Sequence, residues 1–161
     1  MTQYPDGLVC RTFRPGDEAA FFRLNEDWIT KFFELEPADR EIIGNPRTHI
    51  LDPGGRICIA ERAGEIIGCC ALIVTGPGEL ELAKMTVAES ARGHGAGRKL
   101  LQFAIDEARR MGVRRLYLES NTKAAAAIHL YEQLGFRHLA APPHESKYAR
   151  ANVFMELPLH P

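Results

Sequence analysis

Three glycines within five residues, at the point where a strand-like run gives way to a helical one, constrain this chain more than any other feature. The strand pattern covers Glu79 to Val87, and Arg92-Gly93-His94-Gly95-Ala96-Gly97 follows. The next residues repeat with helical spacing: Leu100, Leu101, Ala104, Ile105 and Ala108 share a face, and Gly112 ends the pattern. A helix start leaves backbone N–H groups unpaired and carries about half a positive charge, so it attracts phosphate. Glycines bring the main chain close to such a ligand, and Arg92, Arg98 and Lys99 add side-chain charge. The amides of residues 93–98 are therefore expected to seat a phosphate-bearing ligand; the plain alternative is a glycine-rich connection. A dinucleotide loop, with Glu119 as its ribose acid, is a further reading. The spacing is not G-x-G-x-x-G, however, and an antiparallel hairpin rather than a βαβ unit surrounds the loop. No Gly-Lys-Ser/Thr ends it, which excludes a nucleoside-triphosphate P-loop.

The flanking patterns place this loop inside one mixed α/β domain over residues 1–161. Leu8 to Arg14 alternates like a strand, and Pro15-Gly16-Asp17 breaks it with Asp17 placed to cap a helix. Phe21, Leu24, Trp28 and Phe32 form the stripe of that helix, and Pro37 opens a short second one that Gly44-Asn45-Pro46 stops. Arg56 to Arg62 and Glu65 to Val74 make a hairpin through Ala63-Gly64. After the glycine loop and its helix, Arg114 to Glu119 reads as a strand and Asn121-Thr122 as the start of a last helix. Phe136–Ala140 and Ala151–Leu157 read as closing strands. The expected architecture is a predominantly antiparallel central sheet flanked by helices.

Composition narrows the function classes. Of 161 residues, 20 are basic and 21 acidic, and no basic block stands out, so charge gives no support to nucleic-acid or anionic-membrane binding. No apolar run reaches the roughly 18 residues of a membrane span, and Met1 to Asp6 lacks a signal-peptide layout. A cytoplasmic protein is expected. Cys10, Cys58, Cys69 and Cys70 form no Cys-x-x-Cys pair and have no His at ligand spacing, so buried free thiols are expected rather than a metal site.

Two motifs now carry a resemblance. Arg92-Gly93-His94-Gly95-Ala96-Gly97 matches the Arg/Gln-x-x-Gly-x-Gly/Ala signature of the GNAT N-acetyltransferase superfamily. Ala127-Ile128-His129-Leu130-Tyr131-Glu132-Gln133-Leu134-Gly135-Phe136 resembles that family's Ala-x-x-x-Tyr-x-x-x-Gly-Phe helix and strand. The run Glu81 to Met85 looks like a subgroup of small bacterial members. The resemblance implies a sheet with splayed strands and an acetyl-CoA co-substrate, with no metal. It implies an acetyl group moved to a small-molecule or peptide amine by direct attack in a ternary complex. A CoA-binding sensor without turnover is the alternative, and a homodimer stays open.

Carried across residue by residue, the resemblance gives Gly93, His94, Gly95, Ala96, Gly97 and Arg98, with Arg92, to the CoA diphosphate. The strand edge at Met85, Thr86 and Val87 goes to the pantetheine arm, as an added strand would pair. One position departs: Ala124 stands where many members have Asn, and Asn121 lies a turn earlier, as a pantetheine contact or a plain N-cap. Tyr131 is implied as the acid that protonates the leaving thiolate; read without the family, it is an inward core aromatic. Glu81 is the candidate base, and strand alternation would put Glu79, Glu81, Ala83 and Met85 on one face. Trp28, Glu34 and Glu36 lie where family members build the acceptor pocket, with Asp39 completing an acidic rim. A solvated helix start is the other reading of those acids.

Overall fold

A computed structural model describes residues 1–159. Eight strands form one sheet in the order β1-β2-β3-β4-β5-β6-β8-β7. They are β1 (Thr2–Gln3), β2 (Leu8–Thr12), β3 (Arg56–Arg62), β4 (Glu65–Gly76), β5 (Glu79–Val87), β6 (Arg115–Ser120), β7 (Arg137–His138) and β8 (Val153–Pro158). Every neighbouring pair is antiparallel except β5 with β6. Among the described residues no helix is long and apolar enough to cross a membrane.

Helices α1 (Glu18–Phe32), α2 (Pro37–Gly44), α3 (Ala96–Arg110) and α4 (Ala125–Gln133) cover both faces, so β3 and β4 are buried on each side and read as nearly unbroken apolar runs. On one face Cys58, Ala60, Cys70 and Leu72 pack with Leu100, Leu101, Ala104 and Tyr131 of α3 and α4. On the other, Ile57, Ile59, Cys69 and Ala71 pack with Phe21, Leu24, Ile42 and Ile43 of α1 and α2. All four cysteines are buried free thiols. Ala63 (φ 52°) and Gly64 (φ 79°) make the two-residue turn whose left-handed backbone matches the twist of β3 and β4.

Several sequence expectations shift. Asp17 sits at the head of α1 but makes no side-chain cap, because its carboxylate instead accepts from Arg11 (2.7 Å) and the Arg14 amide (2.8 Å). The buried stripe of α1 is Phe21, Leu24, Asn25 and Ile29, which leaves Phe32 42% exposed. Helix α4 begins at Ala125, one turn after Asn121-Thr122, and β7 keeps only two of the five residues expected of Phe136–Ala140. Phe136 itself packs against Tyr131 rather than extending the strand.

The consequential departure lies in β5. Between Cys69↔Thr86 and Ala71↔Ala83, β5 carries one residue more than β4, and Lys84 takes φ 55°. This is a β-bulge, and it flips the alternation of side chains. Leu80 and Leu82 share the α3 face with Met85 and Val87, whereas Ala83 faces the α1 side. The expected single face of Glu79, Glu81, Ala83 and Met85 is therefore broken at Lys84.

Candidate functional site

Strand β6 pairs with β5 only from Glu79↔Arg115 to Glu81↔Tyr117, and beyond that the two strands part into an open slot. The Ala88 amide donates to the Ile67 carbonyl of β4 (2.7 Å), so by alternation Thr86 also turns its peptide toward β4, while Met85 and Val87 turn theirs toward the slot. Part of that edge is taken, since Arg92 donates from Nε to the Val87 carbonyl (3.1 Å). Thr86 is buried and flanks the α1 side beside Arg23, Leu24 and Trp28, away from the slot its neighbours face.

The slot ends at the glycine loop. Gly93 (φ 84°) and Gly95 (φ 77°) are left-handed, and a Cβ on either would meet nothing within 4 Å. The first helical bond of α3 runs from the Lys99 amide to the Gly95 carbonyl (3.1 Å). Among the described residues, none of the amides of residues 93–98 donates to another protein group. Ala96 and Gly97 hold the loop against the core, the ring of His94 is exposed, and Arg98 reaches the Gln133 side chain (3.3 Å). Lys99 departs from expectation: it pairs with Asp6 (3.4 Å) and covers the Tyr4 ring (4.9 Å), away from the loop.

Where the slot deepens, a cavity of about 110 Å³ is lined by Trp28, Glu81, Met85, Glu119, Tyr131 and Tyr148 among others. Tyr131 comes from α4 with its ring 5.7 Å from that of Phe136. Its hydroxyl bonds no other described residue, and burial raises its pKa, so it stays protonated. Glu81 is buried and has no hydrogen-bond donor among the described residues. Burial, helped by the charge of Glu119, pushes its carboxyl up to about 6. Glu79 is a different case two residues away. Arg115, the Thr75 hydroxyl (2.8 Å) and His144 (3.3 Å) all hold it, at the closed end where the strands still pair. Burial raises its pKa, but those donors win and lower it. Glu79 does not reach the cavity.

The acceptor-side expectations fare unevenly. Trp28 lines the cavity, packed against Phe32 and Phe33 at 6.2 Å each. Glu34 is exposed and lies off the cavity lining. Glu36 and Asp39 form no free acidic rim. Arg150 donates to Glu36 (3.0 Å) and to both oxygens of Asp39 (2.7 and 2.8 Å), and Lys84 donates to Asp39 as well (2.7 Å). Tyr148 packs beside both cations, 4.5 Å from Lys84 and 4.6 Å from Arg150. Asp39 is fully buried; burial raises its pKa, but the two cations more than offset that and hold it at about 2. Asn121 gives its amide to the Arg150 carbonyl (2.6 Å) and accepts from the Lys123 amide (2.8 Å). Its amide is thus tied to the strap 140–152 and its oxygen to the turn that leads into α4; it lines the cavity and does not cap the helix.

Sequence reasoning missed this ion cluster, and it gave Glu119 to the dinucleotide reading rather than to the cavity wall. The available signal was Lys84 itself, a charge with the same parity as core residues Leu80 and Leu82, which only a phase slip can accommodate.

A slot between splayed strands, running from a row of unpaired amides to a buried hydroxyl and a buried carboxylate, defines the class of enzyme that transfers an acyl group from a long, diphosphate-bearing thioester. The chain belongs to the acetyltransferase (GNAT) family, whose model matches residues 18–136. It is 39% identical to the IAA acetyltransferase of Azospirillum brasilense over 73% of this chain and 76% of that one. It is 30% identical to the streptothricin acetyltransferase of Streptomyces lavendulae over 78% and 79%. Against the mycothiol acetyltransferase of Thermomonospora curvata identity is 31%, and the chain spans about half that protein's length. A GNAT-family acetyltransferase from Staphylococcus aureus shares the fold at a TM-score of 0.85 and 21% identity, covering 95% of this chain and 99% of that one. The yncA protein of Salmonella typhimurium, solved with its cofactor acetyl-CoA, matches at 0.73 and 25% identity, covering 96% and 95%. The chain is thus an N-acyltransferase that moves the acetyl group of acetyl-CoA to an amine.

Proposed function

We propose that residues 93–98 grip the diphosphate of acetyl-CoA, that the edge of β5 at Met85 and Val87 aligns its pantetheine arm, and that Glu81 and Tyr131 move the protons. The carrying observation is the run of amides without protein partners at the slot's mouth. Every helix start leaves its first amides unpaired, and here the glycines before it extend that run and keep it open, which suits an anion.

The acceptor amine must first become neutral, since an ammonium has no lone pair. Glu81, with its pKa near neutrality, is suited to take that proton directly or through a water. The amine nitrogen then bonds to the thioester carbon, and backbone N–H groups along β5 face the developing oxyanion. As the carbon–sulfur bond breaks, Tyr131 gives its proton to the departing thiolate, and the second proton that the nitrogen sheds on becoming an amide restores the phenol. Glu79 is excluded from the base role by its three donors. The reaction is a direct transfer in a ternary complex, and its setting is the cytoplasm.

Thermal shift with CoA, acetyl-CoA and NAD(H) tests the seat. At a hundredfold excess over Kd, CoA should stabilise by about 2.7 kcal/mol, raising Tm by roughly 5–10 °C, and NAD(H) should do nothing. Absence of any shift with CoA and its acetyl ester refutes the assignment. Free-thiol release over an amine panel separates turnover from mere binding.

A further inference from the structure

Beyond the inner cavity lies a second one of about 280 Å³, under the strap, lined by Val74, Thr75, His144, Glu145 and Lys147. Glu81 and Glu119 line both cavities and stand at the passage between them. Resting on the acetyl-transfer reading above, we propose that the acceptor enters through this passage and is a primary amine with no carboxylate on the carbon next to its nitrogen.

The argument is one of uncompensated charge. Glu81 has no donor, and Glu119 accepts only from neutral hydroxyls, those of Tyr117 (2.9 Å) and Ser146. Hydroxyl donors favour the charged carboxylate without cancelling its charge, so Glu119 is a seat for an ammonium group. Lys84 and Arg150, the cations on the inner wall, offer no counter-seat for an acceptor carboxylate. Their two charges are matched by Asp39 and Glu36 at 2.7 to 3.0 Å. At the outer mouth Lys147 lines the cavity with Glu145, but both are exposed, so water screens the charge Lys147 could offer a carboxylate, and His144 leans on Glu79 and the Tyr117 ring. An α-amino acid would therefore bring its carboxylate, only two bonds from the reacting nitrogen, against one or both unpaired glutamates. A simple alkyl or aralkyl amine has no such conflict, and Trp28 and Phe33 give its carbon chain an aromatic wall.

Matched pairs test this on the unaltered protein: phenethylamine against phenylalanine, and butylamine against norvaline, as kcat/KM from thiol release. The decarboxylated member should win by about fiftyfold or more in each pair, a ratio typical of a mismatched buried charge. Equal rates, or preference for the amino acid, would overturn the proposal. Glu119→Gln should shrink the ratio about tenfold; a rate loss equal for both members would mean that Glu119 only supports the fold. Thermal shift with the same pairs in the presence of CoA reads acceptor choice without chemistry. Stabilisation by the amine alone, with no thiol release, would sink the turnover reading and keep the acceptor site; no stabilisation and no release would sink both.

Discussion

The glycine loop at the slot's mouth and the Asp39 cluster beside the inner cavity handle polar groups in opposite ways. At residues 93–98 the protein leaves a run of donors without protein partners. At Asp39 it brings Lys84, Arg150 and the Glu36 amide onto one fully buried carboxylate, with bonds of 2.7 to 2.9 Å. On the function proposed above, the difference separates ligand site from framework: the donors left open await a ligand, and the saturated groups hold elements in place. The Asp39 cluster ties α2 to the β5 bulge through Lys84 and to the strap through Arg150. A non-glycine residue in the left-handed region costs about 1–2 kcal/mol, and the ion pair with Asp39 anchors the Lys84 side chain at that strained position.

Removing the knot should have the largest effect. Asp39→Ala leaves the buried ammonium of Lys84 without its partner and Arg150 with Glu36 alone, so stability should fall by about 3–5 kcal/mol, read from urea unfolding. Acid should weaken the wild type at the same point. With the folded pKa of Asp39 at about 2 against 3.8 ordinarily, its contribution is present above 3.8 and is lost as pH falls toward 2. CoA affinity of the folded variant should stay within a few-fold. If affinity drops while stability holds, the division between framework and site fails.

That division also explains what could be read from the sequence. The strand and helix periods around the glycine loop, its glycines and the inward Tyr131 are short-range patterns, each visible within about ten residues, and they carried the fold and the expectation of a cofactor seat. The acceptor half depends on pairings such as Arg150 with Asp39, 111 positions apart, and Lys84 with Asp39, 45 apart. No local period reports those. The bulge hides for another reason: one inserted residue reverses every later side chain of β5, so strict alternation put Met85 on the wrong face. Glu36 was likewise legible as an acid near the pocket but not as the partner of Arg150.

The two glutamates of β5 repeat the contrast at smaller scale. Glu81 is without a donor where Glu79 is saturated, and Glu81→Gln should lower kcat by about 10²–10³ if it is the base. In the wild type kcat/KM should rise with pH through about 6, as Glu81 ionises, and the glutamine variant should lack that limb. Stability should move the other way. A folded pKa of about 6 against 4.5 ordinarily means the wild type loses up to about 2 kcal/mol relative to the variant as pH rises through that window, and none below it. A variant both slower and more stable at pH 7 marks a residue kept for chemistry. Glu79→Gln should slow turnover far less, having no contact with the cavity.

Two glycines sharpen the boundary of the phosphate seat itself. Gly95 combines φ 77° with open space around its missing Cβ, so Gly95→Val strains the backbone and covers neighbouring amides without clashing with the protein. Its CoA affinity should fall by about a hundredfold in calorimetry, with stability down by only about 1–2 kcal/mol. Gly97 is already helical, and its added Cβ would meet Val87 Cγ2 at 3.6 Å and Leu130 Cδ2 at 3.8 Å, ordinary contacts directed at the wall. Gly97→Ala should therefore raise stability by up to about 1 kcal/mol, the helical preference of Ala over Gly. CoA affinity should change less than about threefold, because the methyl group packs on the Val87 and Leu130 side chains rather than over the amides. A loss like that of Gly95→Val would place the diphosphate deeper, against the first turn of α3 rather than on the loop before it.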